Sequence, residues 1–474
     1  MKPNLAYIQK HLDRLRNFYD SAPTETTWAG RFYRKLLAHY YKHLIPANAS
    51  ILEIGCGSGE LLALLPNRDV VGIDISSNQI QAAKKRLPYG QFYVACAEML
   101  KNDLKLDRKF DFVILSETIN FSGDVQLVLE EIKNWVTPQS RLILNFYSSL
   151  WRPVLAFVTL FGLKSKQPEA NWLSNADVKN LLLLSSWDLI KEQTKVLFPF
   201  PFFGIDHFFN YYLAYFLSPF CVTVFHVAKM RVTGPSQLPS VTVVIPARNE
   251  AGNIQAAIDR IPMMGSKTEI IFIEGNSTDN TWEEIQRVKK ENPQIITLQQ
   301  SGKGKGNAVR EGFAQATGDI LMILDADLTV PPEELPKFYS ALASGTAEFA
   351  NGVRLVYPME DKAMRFLNMC ANKFFSAAFS WILGQPIKDT LCGTKVLHKE
   401  AYQKIAANRS YFGDFDPFGD FDLLFGASKL NMKMMDIPIR YRERTYGTTN
   451  IQRWKHGWLL LKMVAFSLRK IKFI

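Results

Sequence analysis

The chain has 474 residues, of which 47% are hydrophobic and 21% charged, so it is typical of a globular protein of two to four domains. Its five cysteines are scattered without metal-ligand spacing, which excludes a disulfide framework and indicates reduced intracellular thiols. The net charge of +11 comes with no recognisable nucleic-acid-binding module, so we expect no nucleic-acid partner.

The first half predicts a parallel sheet. Its N-terminus contains no apolar signal core, which predicts a cytoplasmic location. Apolar runs typical of strands then alternate with helical patterns, and this alternation implies an α/β fold with helices on both faces of the sheet. The strands predicted here are 51–54, 70–73, 110–115 and 141–145.

A glycine motif follows the first of these strands. Gly55, Gly57 and Gly59 permit a tight turn and a close approach of a nucleotide to the backbone. Asp74 ends the next strand, where an acid can accept hydrogen bonds from both ribose hydroxyls. A dinucleotide-binding fold is the alternative, but Glu60 stands where that motif requires a third glycine.

The pattern Glu-x-Gly-x-Gly-x-Gly followed by an acid resembles the class I S-adenosylmethionine-dependent methyltransferases, over roughly the first 230 residues. The resemblance implies a Rossmann-like sheet in which the three glycines and Glu53 lie beside the methionine part of S-adenosylmethionine. It also implies that Asp74 holds the ribose.

The resemblance extends to the next motif. Cys96 stands where the family often has an Asp for the adenine amino group, so adenine recognition is expected from the backbone or from Ala97 and Glu98. Residues 116–118 are implied near the methyl group. No His or paired acid marks a general base. Two interpretations stay open: methyl transfer, or a non-catalytic cofactor- or lipid-binding docking module.

An aromatic segment, 198–227, closes the first half. Residues 208–228 are apolar enough to raise the question of a membrane span, but Pro219 interrupts the run, and Asp206 and His207 border it. We expect a cap over an apolar substrate, followed by the last strand of the sheet at 227–230.

The turn-rich residues 233–240 are the predicted linker between domains at 1–232 and 241–474. The strand pattern then restarts at 241–245, 269–273 and 320–324, which predicts a second α/β domain.

Motifs in order and at regular spacing follow these strands. A nucleotide-sugar donor leaves as a diphosphate, whose charge calls for a hard cation and basic side chains. Asp325 and Asp327, two residues apart at a strand end, offer oxygen ligands suited to Mg²⁺ or Mn²⁺. A carboxylate pair that only introduces the next helix is the structural alternative.

These motifs resemble the family 2 glycosyltransferases of GT-A fold, over essentially all of 241–474. The resemblance implies Asp327 as the direct metal ligand, with Asp325 also reaching the ribose; Glu274 stands where the family usually has Asp. The residues implied in nucleotide-sugar binding are Pro246, Arg248, Glu250, Glu274, Asp279, Lys305, Asp325 and Arg444.

Acceptor-side motifs follow. Asp389 opens one that matches the family, and Asp420 and Asp422 both fit an acidic motif that supplies the base when the acceptor is a hydroxyl. Sequence does not choose between these two acids, and one of them can be structural. Arg444 opens a segment that resembles the polyprenyl-phosphate glycosyltransferases, although Asn450 replaces the family's phosphate-contacting Lys.

The composition of the C-terminal segment indicates the class of acceptor substrate. Residues 440–474 hold nine Lys or Arg and one acid, interleaved with Trp, Leu and Phe, as suits the surface of an anionic bilayer. A helix packed on the core with a basic end is the alternative. We predict a bifunctional transferase, peripheral on the inner face of the membrane, that acts on a lipid-linked or glycan acceptor. A glycosyltransferase with an N-terminal docking module is the alternative.

Overall fold

The computed structural model describes residues 5–104, 106–160, 167–168, 170–171, 173–232, 234, 238–357, 366–411, 421–444, 446 and 453–473. The chain divides into two compact units. The first comprises Met1–Arg231 with Phe473–Ile474, and the second comprises Val232–Lys472.

In the described part of the first unit, seven strands form one sheet in the order β3-β2-β1-β4-β5-β7-β6. The strands are β1 (Ile51–Ile54), β2 (Val70–Asp74), β3 (Gln91–Val94), β4 (Phe112–Ser116), β5 (Arg141–Tyr147), β6 (Trp187–Lys195) and β7 (Thr223–Met230). The helices are α1 (Leu5–Ser21), α2 (Trp28–Leu44), α3 (Glu60–Leu64), α4 (Ser77–Arg86), α5 (Leu100–Asp103), α6 (Val125–Ile132), α7 (Arg152–Leu160), α8 (Asn175–Leu184) and α9 (Ile205–Tyr211).

The four predicted strands of this unit are confirmed, because each is a run of side chains buried on both faces of the sheet. Strand β7 confirms the predicted last strand and runs antiparallel to β5 and β6. Two strands were not predicted. In β3 only Phe92 is buried, and β6 mixes buried with half-buried polar side chains, so neither is an apolar run.

In the described part of the second unit, seven strands form a sheet in the order β10-β9-β8-β11-β13-β12-β14. The strands are β8 (Val241–Ala247), β9 (Thr268–Glu274), β10 (Ile296–Gln299), β11 (Ile320–Ile323), β12 (Phe349–Val353), β13 (Lys395–His398) and β14 (Met434–Pro438). The helices are α10 (Ile254–Arg260), α11 (Thr281–Glu291), α12 (Lys305–Gln315), α13 (Leu335–Ala343), α14 (Phe366–Leu383), α15 (Lys399–Ala407), α16 (Phe421–Lys429) and α17 (Arg453–Ser467).

The three predicted strands here are β8, β9 and β11, and they pair in parallel. In both units the central strands are parallel, so their carboxyl ends meet at one edge of the sheet. Loops that leave this edge are where α/β sheets bind ligands.

None of the helices within the described ranges combines the length and apolarity needed to cross a membrane.

Candidate functional site

A cavity of about 650 Å³ opens at the carboxyl ends of β1, β2 and β4 in the first unit. Its charged lining is strongly acidic: among the described residues, six acids and one arginine line it. These are Glu25, Arg34, Glu53, Glu60, Asp74, Glu98 and Glu117. A site with this excess of carboxylates favours a cationic ligand.

Two of the three motif glycines line the cavity. Gly57 has φ +51° and nothing within 4 Å of an added Cβ, while a Cβ at Gly55 would meet Thr118 Oγ1 at 2.5 Å. Gly59 instead begins α3 and packs against Ala83. The backbone of the first two glycines therefore forms the cavity wall, and the third sets the direction of the helix.

Asp74 ends β2 and lines the cavity. Its carboxylate accepts the backbone N–H of Gly57 at 2.8 Å and that of Ser76 at 2.9 Å. Burial raises the pKa of this carboxyl. The two amides fix the carboxylate at the strand end, the position from which it is predicted to hold a ribose.

Glu53 lies on β1 at the cavity floor and is 1% exposed. Its Oε2 has no hydrogen-bond partner among the described residues. Burial raises its pKa to about 8, against the opposing effect of Arg34. A buried carboxyl oxygen left unpaired is costly, so this position suits an ammonium group that arrives with a ligand.

The predicted adenine residues lie at the same cavity. Ala97 and Glu98 line it, but the Glu98 carboxylate is engaged within the protein. Its Oε1 accepts the Gly123 amide at 2.8 Å, and its Oε2 accepts the Cys96 thiol at 3.0 Å. Glu98 therefore joins two loops beside the cavity, which leaves the backbone around Ala97 as the expected adenine contact.

The mouth of the cavity is apolar. Trp151 and Val154 of the α7 region and Phe200 of the predicted cap line it. Leu160 at the end of α7 and Phe203 in the predicted cap are 81% and 97% exposed. The predicted cap thus borders the cavity, and both segments also expose apolar side chains.

Sequence patterns did not single out Tyr33, Arg34 or Tyr147, which also line this cavity. Tyr33 and Arg34 belong to α2, which precedes the glycine motif. Burial disfavours the Arg34 cation, but the charges of Glu117 and Glu53 raise its pKa. Helix α2 carries no local signal for such a role, because its pattern is that of an ordinary amphipathic helix.

The second unit holds a cavity of about 320 Å³ at the carboxyl ends of β8 and β11. Its charged lining is balanced, with three acids and three bases among the described residues. These are Arg248, Glu250, Lys305, Asp325, Asp327 and Arg444. The predicted Pro246 lies in the same wall.

Each of these acids is ion-paired. Lys305 Nζ lies 2.6 Å from Asp325 Oδ1, and the two terminal nitrogens of Arg444 lie 2.6 Å from Glu250 Oε1 and Asp327 Oδ2. Burial raises the pKa of Glu250, which Arg444 partly offsets. The cavity thus contains two cations, Lys305 and Arg444, whose carboxylate partners an anionic ligand can replace.

Two residues predicted to bind the nucleotide do not line the cavity, and their carboxylates form hydrogen bonds within neighbouring loops. Glu274 Oε1 accepts the Ser277 amide at 2.5 Å. Asp279 accepts the hydroxyl of Thr281 at 2.5 Å, and Thr281 Oγ1 in turn accepts the Glu250 amide at 3.0 Å. Both acids therefore shape the loops that carry Arg248 and Glu250.

Asp389 was predicted among the catalytic residues, yet its carboxylate is fully buried. Arg354 donates to both its oxygens at 2.7 and 2.9 Å, and Asn372 donates at 3.0 Å. Burial disfavours its charge, but Arg354 holds its pKa below the ordinary value. We propose that Asp389 positions its loop and does not touch substrate. Neither Arg354 nor Asn372 lies in a motif that predicts this pairing.

The loop after Asp389 reaches the cavity at Gly393. A Cβ there would overlap the Asp325 carboxylate and crowd Lys305 Nζ. Lys395, fully buried, donates to the Cys392 carbonyl and closes this loop. The predicted acceptor-side motif therefore contacts the donor-side acid through glycine backbone.

Asp422 is the second residue of α16 and lies between two arginines. Arg310 and Arg409 donate to its Oδ2 at 3.3 and 3.2 Å. Its charge is thus compensated within the fold, away from the cavity lining. Asp420 lies outside the described residues, as do residues 447–450 of the segment after Arg444.

In the described part of the chain no three His, Cys, Asp or Glu side chains are grouped as a metal site. Asp325 and Asp327 remain the two carboxylates in the cavity that suit a divalent cation. Mg²⁺ is commonly held by one or two carboxylates together with substrate phosphates. The pair therefore fits a metal that arrives with a diphosphate.

Two family models match the chain, a methyltransferase domain over residues 45–196 and glycosyl transferase family 2 over residues 242–406. The molecule is therefore a transferase of two α/β domains, a Rossmann-like methyltransferase domain followed by a GT-A-type domain. The chain belongs to glycosyl transferase family 2, and both predicted families are confirmed.

Individual relatives agree. The chain is 32% identical over 247 residues to dolichol-phosphate mannosyltransferase of Pyrococcus furiosus, and 33% identical over 239 residues to undecaprenyl-phosphate 4-deoxy-4-formamido-L-arabinose transferase of Pectobacterium carotovorum. Each alignment covers 49% of this chain and 67% of the relative. A solved methyltransferase structure from Thermotoga maritima, a possible histamine N-methyltransferase, is similar over 46% of this chain and 98% of its own, with 19% identity and a TM-score of 0.33.

Proposed function

We propose that this protein is a bifunctional enzyme. One domain transfers a sugar, with inversion, from a nucleotide-sugar donor, and the other transfers a methyl group from S-adenosylmethionine in the same glycolipid or polysaccharide pathway. The observation that carries the first activity is the set of ion pairs in the second cavity. A donor diphosphate brings the negative charge that can take over Lys305 and Arg444, which releases Asp325 and Asp327.

The released carboxylates would hold Mg²⁺ or Mn²⁺. Asp327 is the proposed direct ligand, and Asp325, next to Gly393, reaches both metal and ribose. When bound, the metal supplies positive charge to the leaving diphosphate. Arg248 at the cavity rim adds to that charge.

The proposed acceptor is a lipid-linked phosphate. The two relatives act, by their names, with dolichol phosphate and undecaprenyl phosphate. A lipid phosphate is already an anion and needs no general base, which agrees with the compensated charge of Asp422.

We further propose that the protein is peripheral on the inner face of the membrane. Helix α17 exposes Trp458 and Leu461 beside Lys462, whose ammonium lies 5.8 Å from the Trp458 ring centre. An amphipathic surface of this kind binds anionic headgroups through its bases and the acyl boundary through Trp and Leu.

The methyltransferase proposal rests on the acidic cavity of the first unit. S-adenosylmethionine carries a sulfonium and an ammonium against one carboxylate, so it is a net cation. Glu53 offers the ammonium an oxygen that no described residue pairs with, and Asp74 is fixed for the ribose. When bound, the cofactor supplies a methyl group on a cationic sulfur. The apolar mouth formed by Trp151, Val154 and Phe200 suits a lipid-linked acceptor here as well.

A single incubation tests both activities. The full chain is incubated with membrane lipid extract, labelled S-adenosylmethionine, a panel of nucleotide sugars and Mg²⁺ or Mn²⁺, and the lipids are analysed by mass. We expect sugar transfer that EDTA abolishes, and a methyl label in the same lipid fraction. A product with sugar but no methyl under any donor would contradict the bifunctional proposal in favour of a docking module.

A further inference from the structure

Glu117 occupies an unusual position in the methyltransferase cavity. It follows β4 directly, and its backbone is in the left-handed region at φ +63°, held by its amide donating to the Asn145 carbonyl at 3.0 Å. The side chain lines the cavity although the residue is only 8% exposed. Its Oε1 has no hydrogen-bond partner among the described residues. A buried carboxyl oxygen without a partner is costly, so Oε1 is placed to accept from a ligand, while the Tyr33 and Tyr147 phenols interact with the same carboxyl group.

The groups around Glu117 are poor proton acceptors. Burial and the charge of Glu117 raise the pKa of both Tyr33 and Tyr147 well above the ordinary value, so both phenols stay protonated at neutral pH. Arg34 is a cation throughout. Tyr33, Tyr147 and Arg34 are therefore unsuited to act as a base, and Glu117 is the carboxyl group that lies among them.

We propose that Glu117 is the general base of the methyl transfer and that the acceptor is a hydroxyl group. This proposal rests on the methyltransferase function proposed above. Glu117 Oε1 accepts the hydroxyl hydrogen and takes the proton while the acceptor oxygen forms its bond to the methyl carbon. The methyl–sulfur bond breaks, and its electron pair stays on sulfur, which becomes a neutral thioether. The products are a methyl ether, S-adenosylhomocysteine and the protonated Glu117 carboxyl.

A carboxylate base in the cavity favours a hydroxyl over the other nucleophiles. A neutral amine already carries the lone pair that attacks the methyl carbon and can lose its proton afterwards, whereas a hydroxyl needs a base to take its proton as the bond to carbon forms. A carboxylate acceptor would set an anion beside Glu117. A hydroxyl is neutral and avoids that repulsion. It can be carried on an apolar molecule, because the cavity mouth is lined by Trp151, Val154 and Phe200.

The test compares wild type with Glu117→Gln, which keeps the shape of the side chain but removes its basicity. Both proteins receive trideuteromethyl-labelled S-adenosylmethionine and membrane lipid extract, and we follow the rate of label transfer and the atom that carries the label. Affinity for S-adenosylmethionine is measured separately by calorimetry. We expect the rate to fall by about 10² to 10⁴-fold, the usual contribution of a general base, while the affinity stays within about threefold of wild type. The label should be found in an ether.

Controls make each outcome decisive. Glu117→Asp restores a carboxylate and should recover part of the lost rate, whereas a variant that merely misfolds would not be rescued. Asp107→Asn, at an exposed acid of the same unit, should transfer label at the wild-type rate. A Gln variant that keeps more than a third of the wild-type rate, or a label on nitrogen, overturns the proposal. If wild type binds S-adenosylmethionine but labels no lipid, methyl transfer itself is contradicted.

Discussion

The two cavities of this protein balance charge in opposite ways. In the second unit Asp325, Asp327 and Glu250 are each paired with a lysine or an arginine at 2.6 Å. In the first unit Glu53 and Glu117 each have a buried oxygen that no described residue pairs with.

The difference indicates the charge of each ligand. Cations already paired inside a cavity can be transferred to an anion, which is what a nucleotide diphosphate brings. Unpaired buried carboxyl groups await a cation or a hydrogen-bond donor, which S-adenosylmethionine and a hydroxyl acceptor would bring. We therefore propose that one chain combines an anion site and a cation site.

A substitution at Asp327 should have the largest effect on one site while it leaves the other unchanged. Asp327→Asn removes the proposed metal ligand and one partner of Arg444, so we expect sugar transfer to fall by about 10³-fold or more, since the metal's charge stabilisation is lost. Affinity for S-adenosylmethionine should not change. Sugar transfer is measured with radiolabelled donor and calorimetry gives the cofactor affinity; loss of both would show that the sites are not independent.

Asp389 tests whether charge pairing in the second unit extends into its interior. Asp389→Asn leaves Arg354 buried without its anion, and breaking such a pair costs about 3–5 kcal/mol. We expect the free energy of unfolding to drop by about that amount in urea titration. Asp259→Asn, at an exposed acid of α10, is the matched control and should change it by less than about 0.5 kcal/mol. A drop no larger than the control's would show that the buried pair is not needed.

The close approach of Gly393 to Asp325 can be tested by adding a single methyl group. A Cβ at this position overlaps the Asp325 carboxylate, so Gly393→Ala should displace that acid or the loop. A shift of about 1 Å can cost about 10²-fold in rate, and we expect a loss of that order in sugar transfer. Gly457→Ala places its Cβ in open space and serves as the control. Equal rates for the two variants would show that the close approach has no function.

The pH dependence of thermal stability tests the burial of Glu53 in the first cavity. Its pKa is raised from 4.5 to about 8 by burial, so the folded protein retains a proton that the unfolded chain releases. The contribution of this bound proton to the free energy of unfolding is fully present below about pH 4.5 and is lost as the pH rises towards 8. Glu53→Gln should therefore flatten the fall in Tm between pH 5 and 8, as measured by calorimetry without ligand. An unchanged slope would contradict the buried, unpaired state of Glu53.

Sequence predicted the elements and residues that depend on local pattern. Strands β1, β2, β8 and β11 are apolar runs, and the acids that end or follow them lie where parallel strands meet. For this reason Asp74 and Asp327 line the cavities at the strand ends, and their roles in binding stay predictions. The spacing of short motifs at strand ends is enough to identify both families.

The remainder depends on contacts between distant residues. Arg34 reaches its cavity from a helix that precedes the motif, and Arg354 pairs with Asp389 across 35 positions of sequence. Sequence shows that Asp279 is acidic, but only the structure shows its carboxylate bound to Thr281. Strand β6 was not predicted because buried side chains alternate irregularly with half-buried polar ones, so it is not an apolar run.

The central claim, two independent sites of opposite charge preference on one chain, is tested most directly by calorimetric titration. The full chain is titrated with S-adenosylmethionine and with nucleoside diphosphates (UDP, GDP and TDP) in Mn²⁺. We predict one site for each class on wild type, with Asp74→Asn removing only the first and Asp327→Asn only the second. Failure of either class to bind wild type, or loss of both through one substitution, would contradict the claim.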